Sequence, residues 1–261
     1  MEEVDLMTII MTRPQPSAPA APSRDRANGT TAMTKLDPVL MLWQPKGGCN
    51  KSVTTATAAL LLTESGFSIV GIDTDPTNPD VYRAHHGEMR CECIALDDEN
   101  GFTSIARLIS DARITGPILI SGAAGNVEAF KDNAATLGLS ASRVGRRFKM
   151  IVPIDLDTDS LIHIEDMAEA LPEAEIHIIR PRYFGRPEQF EVFNESDLGR
   201  KFLAERRVID LPAVPAALVR RFKTDRMSFS AVAQRGDVAD VAALDVWRPK
   251  ARAALAPLLD W

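Results

Sequence analysis

Residues 39–64 read VLMLWQPKGGCNKSVTTATAALLLTE. The run 39–43 is apolar throughout, as a strand buried on both faces is. The chain then breaks at Pro45, passes Gly47 and Gly48, and from Ser52 takes up a helical pattern that runs to Glu64 and closes at Gly66. Strand, Gly-rich loop, Lys-Ser pair and helix together make a phosphate cradle. Loop N–H groups point inward, the helix N-terminus adds positive potential, and Lys51 can reach terminal phosphates. The Ser52 hydroxyl is placed to coordinate magnesium. Against the spacing G-x-x-x-x-G-K-[ST], Pro45 stands at the first Gly and Asn50 at the second. Asn accepts positive φ better than other non-Gly residues, but its side chain projects toward the phosphate position. On its own, the string is equally an ordinary Gly-rich turn ahead of a helix.

Outward from this segment, short apolar runs alternate with helical stretches. Strands are predicted at 67–72, 91–96, 117–120, 148–154, 176–179 and 208–211. Helices are predicted at 103–113, 158–171 and 239–259, the last interrupted or restarted at Pro249. Continuous apolar strands separated by helices predict an α/β fold, a doubly wound and mostly parallel sheet flanked by helices. Residues 36–261 form that single domain. Residues 1–35 are rich in Pro, Ala, Ser and Thr and read as a disordered tail. Glu2, Glu3 and Asp5 occupy the place of a secretion signal's basic region, and Met33 is a second candidate start.

The 261 residues are 45% hydrophobic and 25% charged, which excludes wholesale disorder and fibrous repeats. A net charge of −6 argues against coating nucleic acid by bulk charge. No apolar run reaches the roughly 20 residues of a membrane span. Three cysteines, one of them in the Gly-rich loop, argue against a disulfide framework and for the cytoplasm.

A second motif, GIDTDPTNPD at 71–80, follows the second strand. Asp73 and Asp75 fall at its C-terminal end, on the sheet edge where doubly wound folds bind ligands. Carboxylates there hold the water shell of magnesium or orient an attacking water. As a polar turn, the same string needs no function.

Together, KGGCNKS (46–52) and DTDP (73–76) resemble the deviant Walker A and D-x-D-P motifs of the ParA/MinD family of P-loop ATPases. IDTDPTN looks most like the TraL, StbC and MobD-like subgroup of conjugative and mobilisable plasmids. RPRYFG (180–185), VIDLPAV (208–214) and RMSFSAVA (226–233) resemble later segments of that subgroup. The resemblance implies that Gly47, Gly48, Cys49, Asn50, Lys51, Ser52 and Val53 bind ATP, with Lys51 on the β- and γ-phosphates. It places magnesium on Ser52 and Asp73. Two catalytic roles follow from it: Asp75 orients the hydrolytic water, and Lys46 reaches across a nucleotide-dependent homodimer to the partner's phosphates.

Three departures from the family pattern bear on turnover. Asn50 replaces a loop Gly, Ser121 stands where the Walker B Asp belongs, and Arg180 with Pro181 stands near an Asn that reads adenine. The readings left open are a weak ATPase of plasmid mobilisation or partition, a non-hydrolysing adaptor that recruits relaxosome or partition proteins, and an α/β metabolic kinase or synthetase.

Remaining features carry less. Cys49 beside a helix N-terminus is expected to have a lowered thiol pKa and to alkylate readily. Cys91 and Cys93, near His85 and His86, lack a second pair at zinc spacing. Two basic clusters, Arg143, Arg146, Arg147 and Lys149, then Arg220, Arg221, Lys223 and Arg226, offer non-specific DNA contact or a solvated helix face. The C-terminal stretch reads as a packed helix rather than a membrane anchor, because Pro249 and Pro257 lie within it.

Overall fold

A computed structural model describes residues 37–259; the expected disordered tail lies outside them. Seven strands are present: β1 Val39–Leu42, β2 Val70–Asp73, β3 Arg90–Cys93, β4 Ile118–Ser121, β5 Phe148–Pro153, β6 Glu175–Pro181 and β7 Val208–Leu211. They form one sheet in the order β3-β2-β4-β1-β5-β6-β7. Every pairing is parallel, so all strand C-termini share one edge. The order reverses around β1, which makes its C-terminal end the switch point where such sheets bind ligands.

The helices before β5 are α1 Lys51–Glu64, α2 Asp80–His85, α3 Glu99–Ser110, α4 Val127–Asn133 and α5 Ala135–Arg143. After it come α6 Asp159–Ala170, α7 Glu191–Glu195, α8 Asp197–Ala204, α9 Ala216–Lys223, α10 Phe229–Arg235 and α11 Val238–Leu259. Strand alternation sorts the core into two layers. Val39, Met41, Ile118, Ile120, Met150 and Ile178 pack on one face, under α3 to α8. Leu40, Leu42, Leu119, Ile151 and Ile179 pack on the other, under α1, α2, α9, α10 and α11. Because α1 is enclosed on nearly every side, Leu60, Leu61 and Leu62 are all buried, as an all-round apolar sequence requires.

The predicted strands are all present, with ends displaced by a few residues. The helices of 127–143 and 191–223 were not predicted, because each is too short to show a helical period. The start of α10 was legible: Ser228, in the segment RMSFSAVA, accepts the N–H of Ala231 at 2.9 Å. The last helix is not interrupted at Pro249; α11 runs through both Pro249 and Pro257. It buries Leu244, Trp247, Ala251 and Leu255, in keeping with a packed helix. No helix among the described residues is long and apolar enough to cross a membrane.

Much of the two basic clusters serves the fold rather than DNA. The buried Arg146 guanidinium donates to the carbonyls of Asp37 at 2.6 Å, Gly116 at 3.0 Å and Ile114. Lys149 Nζ donates to Leu258 O at the end of α11, at 2.7 Å. Arg221 pairs with Asp225, Asp237 and Asp240, and Arg226 with Asp80. Arg143, Arg220 and Lys223 remain on the exposed surface.

Candidate functional site

The loop from β1 to α1 lies on the C-terminal edge of the sheet and lines a cleft of about 400 Å³. Gly47, Gly48, Cys49, Asn50, Lys51, Ser52 and Val53 line it, with Asp73 and Asp75 facing them from the end of β2. The two sequence motifs therefore meet.

Loop geometry answers the question posed by Asn50. Gly48 has φ +80°, and Asn50 sits at φ 66°, ψ 19°, in the left-handed region. Asn thus substitutes for Gly by conformation. Asn50 is the N-cap of α1, yet its side chain makes no capping bond. The first intrahelical bond is Thr54 N–H to Asn50 O, at 3.0 Å. The N–H groups of Lys51, Ser52 and Val53 precede it and have no helical acceptor.

Lys51 is buried, and its ammonium donates to the carbonyls of Gln44 at 2.6 Å and Lys46 at 2.9 Å. Among the described residues, no carboxylate lies within ion-pair distance of it. Burial pushes its pKa down to about 8. A buried cation with no counterion, beside bare helix N–H groups, is built for an anion.

Lys46 does not line the cleft. Its ammonium turns to the β5–α6 turn, where it meets Asp155 at 2.6 Å and also Asp157. These two carboxylates hold its pKa well above the usual amine range. Neither Asp was singled out from sequence, because each lies more than a hundred positions from Lys46 in the chain.

The Asp73 carboxylate is buried and accepts N–H bonds from Val81 at 2.9 Å, Tyr82 at 3.1 Å and Asp75 at 3.2 Å. It anchors the turn into α2, and burial pushes its pKa up to about 6. Asp75 Oδ1 accepts from the N–H groups of Thr77 at 3.1 Å and Asn78 at 2.8 Å, so this side chain shapes the same turn. Ser121 ends β4 at the cleft, followed by Gly122. A side chain at Gly122 has no room: its Cβ would come within 2.3 Å of Trp43 Cδ1 and 2.8 Å of Leu42 O. Trp43 is in turn stacked on Phe130, with ring centroids 3.9 Å apart.

Cys49 corrects an expectation. Its thiol is buried, and burial together with Asp155 outweighs the helix terminus, pushing its pKa up to about 11. Alkylation by iodoacetamide at about pH 7.5 should therefore label the exposed Cys93 well before Cys49, as read by mass spectrometry. Preferential labelling of Cys49 would contradict this burial. No metal-ligand cluster occurs among the described residues; Cys91 is partly buried on edge strand β3, and His85 hydrogen-bonds to Val81 O at 2.9 Å.

Arg180 is also engaged internally. Its guanidinium meets both Asp210 oxygens, at 2.7 and 2.9 Å, and Asn194 Oδ1 at 2.7 Å. Removing Asp210 leaves a buried guanidinium without its carboxylate, which costs about 3 kcal/mol. Asp210→Ala should accordingly lower the urea midpoint clearly, and an unchanged midpoint would mean that the pair contributes nothing. The cleft also takes in Tyr183, Val214, Val219 and Lys223, none of them predicted. Tyr183 and Val214 fall in the quoted segments RPRYFG and VIDLPAV, and Lys223 in the second basic cluster, but none of those readings placed them at the cleft.

No known family profile matches the chain. It is 28% identical over 219 residues to Protein MobD of Acidithiobacillus ferrooxidans, covering 83% of this chain and 96% of that one. MinD of Pyrococcus horikoshii in complex with Mg-ADP superposes with a TM-score of 0.51 at 15% identity, covering 82% and 96% of the two chains. A Cyanothece McdA variant in complex with ATP gives 0.50 at 13% identity, covering 85% and 97%. The fold is thus the P-loop fold of the MinD/ParA kind.

Proposed function

We propose that this chain is a nucleotide-dependent switch of the ParA/MinD kind, acting in mobilisation or partition of plasmid DNA. The observation that carries the reading is Lys51: a buried ammonium without a carboxylate, at a helix N-terminus, opening on a cleft lined by both motifs. A triphosphate fits this donor set. Lys51 and the N–H groups of Lys51, Ser52 and Val53 would hold the β- and γ-phosphates. Ser52 Oγ would coordinate magnesium directly. Asp73 and Asp75 would act on its water shell, since magnesium keeps several waters and needs few protein ligands. Bound magnesium supplies neutralisation of phosphate charge. Solved neighbours of the same fold hold Mg-ADP or ATP, which supports the choice of ligand.

The likeness to MobD, together with IDTDPTN, supports a plasmid-mobilisation role over a metabolic kinase or synthetase. Relaxosome or partition proteins are the partners this role requires. Turnover is slow on this reading, because Ser121 supplies no carboxylate at the end of β4. Asp75, at the cleft rim, is the residue that orients the attacking water. Isothermal titration with Mg-ATP tests binding, and phosphate release by wild type and Asp75→Ala tests turnover. Slow release that Asp75→Ala abolishes supports the switch. Undetectable release with intact binding selects the adaptor reading, and absence of binding rejects both.

A further inference from the structure

α2 has six residues, too few to hold a position by its own helical bonds, so what it is tied to decides where it sits. That position matters to the cleft, because the N–H groups of Val81 and Tyr82 in its first turn fix the Asp73 carboxylate. Both ends of α2 are tied to the turn between α9 and α10. At the start, the buried Asp80 carboxylate lines the cleft and accepts from Arg226 Nη1 at 2.8 Å. Just beyond the end, Glu88 accepts from the Ser228 hydroxyl. Asn78 joins Asp80 to Asp75. Its amide donates to Asp80 Oδ2 at 3.4 Å, and its N–H donates to Asp75 Oδ1 at 2.8 Å. The Arg226 end of this chain of bonds is itself fixed. Its φ is 56°, left-handed where Gly is usual after a helix, and Met227 N–H closes the turn on Arg221 O at 3.1 Å. A cation held at an uncommon backbone angle and aimed at a buried carboxylate of the cleft points to a role in the site.

We infer that Arg226 is a positioning residue: through Asp80 it holds α2 and the 73–80 turn so that Asp73 and Asp75 face magnesium bound with the nucleotide. The inference rests on the nucleotide reading above and concerns how the carboxylates are held, not the phosphate loop. Arg226 itself does not line the cleft, so it acts through Asp80. Lys51 and the N–H groups at the start of α1 belong to the other motif and do not depend on this tie.

Titration calorimetry with ATP, once in excess magnesium and once in EDTA, tests it. ATP should bind the wild type more tightly with magnesium than without. Arg226→Gly, which suits the left-handed backbone, should bind metal-free ATP as the wild type does. In magnesium it should bind about tenfold more weakly, the low end for removing a support of metal-holding groups. Arg226→Lys should keep the magnesium effect, since a single N–H to Oδ1 contact carries the pair. Asp80→Asn should show the same loss, and adding Arg226→Gly to it should cost nothing more, because both act through one pair. That double variant leaves no unpaired buried charge, so it carries the test wherever Arg226→Gly alone is too unstable to titrate. An equal magnesium effect in wild type and variants, additive losses, or an equal loss with and without magnesium overturns the inference and leaves the phosphate site standing. Absence of ATP binding by the wild type in both conditions overturns the nucleotide reading and this inference with it.

Discussion

Lys51→Met is expected to abolish Mg-ATP binding while leaving the nucleotide-free protein as stable as the wild type or more so. Both halves follow from one observation. The ammonium is buried, and its pKa lies near 8 against the ordinary lysine value of 10.5. Between those values the folded state binds fewer protons than the unfolded chain, so stability rises with pH across that window. Below about pH 8 the buried charge is present in full and opposes folding. Two backbone carbonyls offset part of that cost. Methionine keeps the apolar stem and removes the charge, a gain on the order of 1–2 kcal/mol at neutral pH. A triphosphate reverses the balance, since it supplies the missing counterion. Losing one partner of a buried charge pair costs on the order of 2–5 kcal/mol, so Kd should rise about a hundredfold or more. Titration calorimetry and thermal melts without nucleotide read the two effects separately. Undiminished binding in Lys51→Met would remove the phosphate role. A much lower melting temperature without nucleotide would make Lys51 a structural residue instead.

How much of this site could be read in advance depended on whether a residue's role is set by its neighbours in the chain. Asn50 was legible because its conformation is a local matter: it stands where a loop Gly belongs, and its φ is 66°. Asp73 and Asp75 were legible in position, since a strand ending at Asp73 places both on the ligand edge. The role of Asp73 as the acceptor for α2 was not, because a six-residue helix leaves no period in the sequence. Cys49 misled for a related reason. The helix terminus beside it is visible in sequence, but the burial that outweighs it comes from packing. Arg146 and Lys149 read as surface charge or DNA phosphate contacts and Arg180 as a departure from the family pattern, yet Gly116, Leu258 and Asp210, which accept from them, lie 30 or more positions away. The strands were legible for the opposite reason. A strand buried on both faces declares itself by being apolar throughout.

If this chain pairs on nucleotide as the resemblance implies, the wild type is expected to dimerise with a non-hydrolysable ATP analogue and Lys46→Ala to stay monomeric. Lys51 already occupies the phosphate side of the loop, and a second ammonium beside it would be repelled. Instead, Lys46 faces outward to Asp155 and Asp157, outside the cleft. For Lys46 to meet phosphates across a two-fold interface, it must first leave those carboxylates. On that reading the pair opposes assembly. Asp157 is 68% exposed and the Lys46 side chain 31%, so solvent screens much of that hold. The pair with exposed Asp157 and the pair with largely buried Asp155 contribute about 0.5–2 kcal/mol together, so Asp155→Asn with Asp157→Asn should dimerise at roughly threefold to thirtyfold lower analogue concentration. The two substitutions thus act in opposite directions on the same equilibrium, which a mere loop tether cannot do. If Lys46 only fastened the loop to the β5–α6 turn, releasing either end would have the same effect. Light scattering across an analogue titration distinguishes these cases. Monomer in every condition, or a dimer indifferent to both substitutions, would remove the reciprocal contact and leave a switch that acts as a single chain.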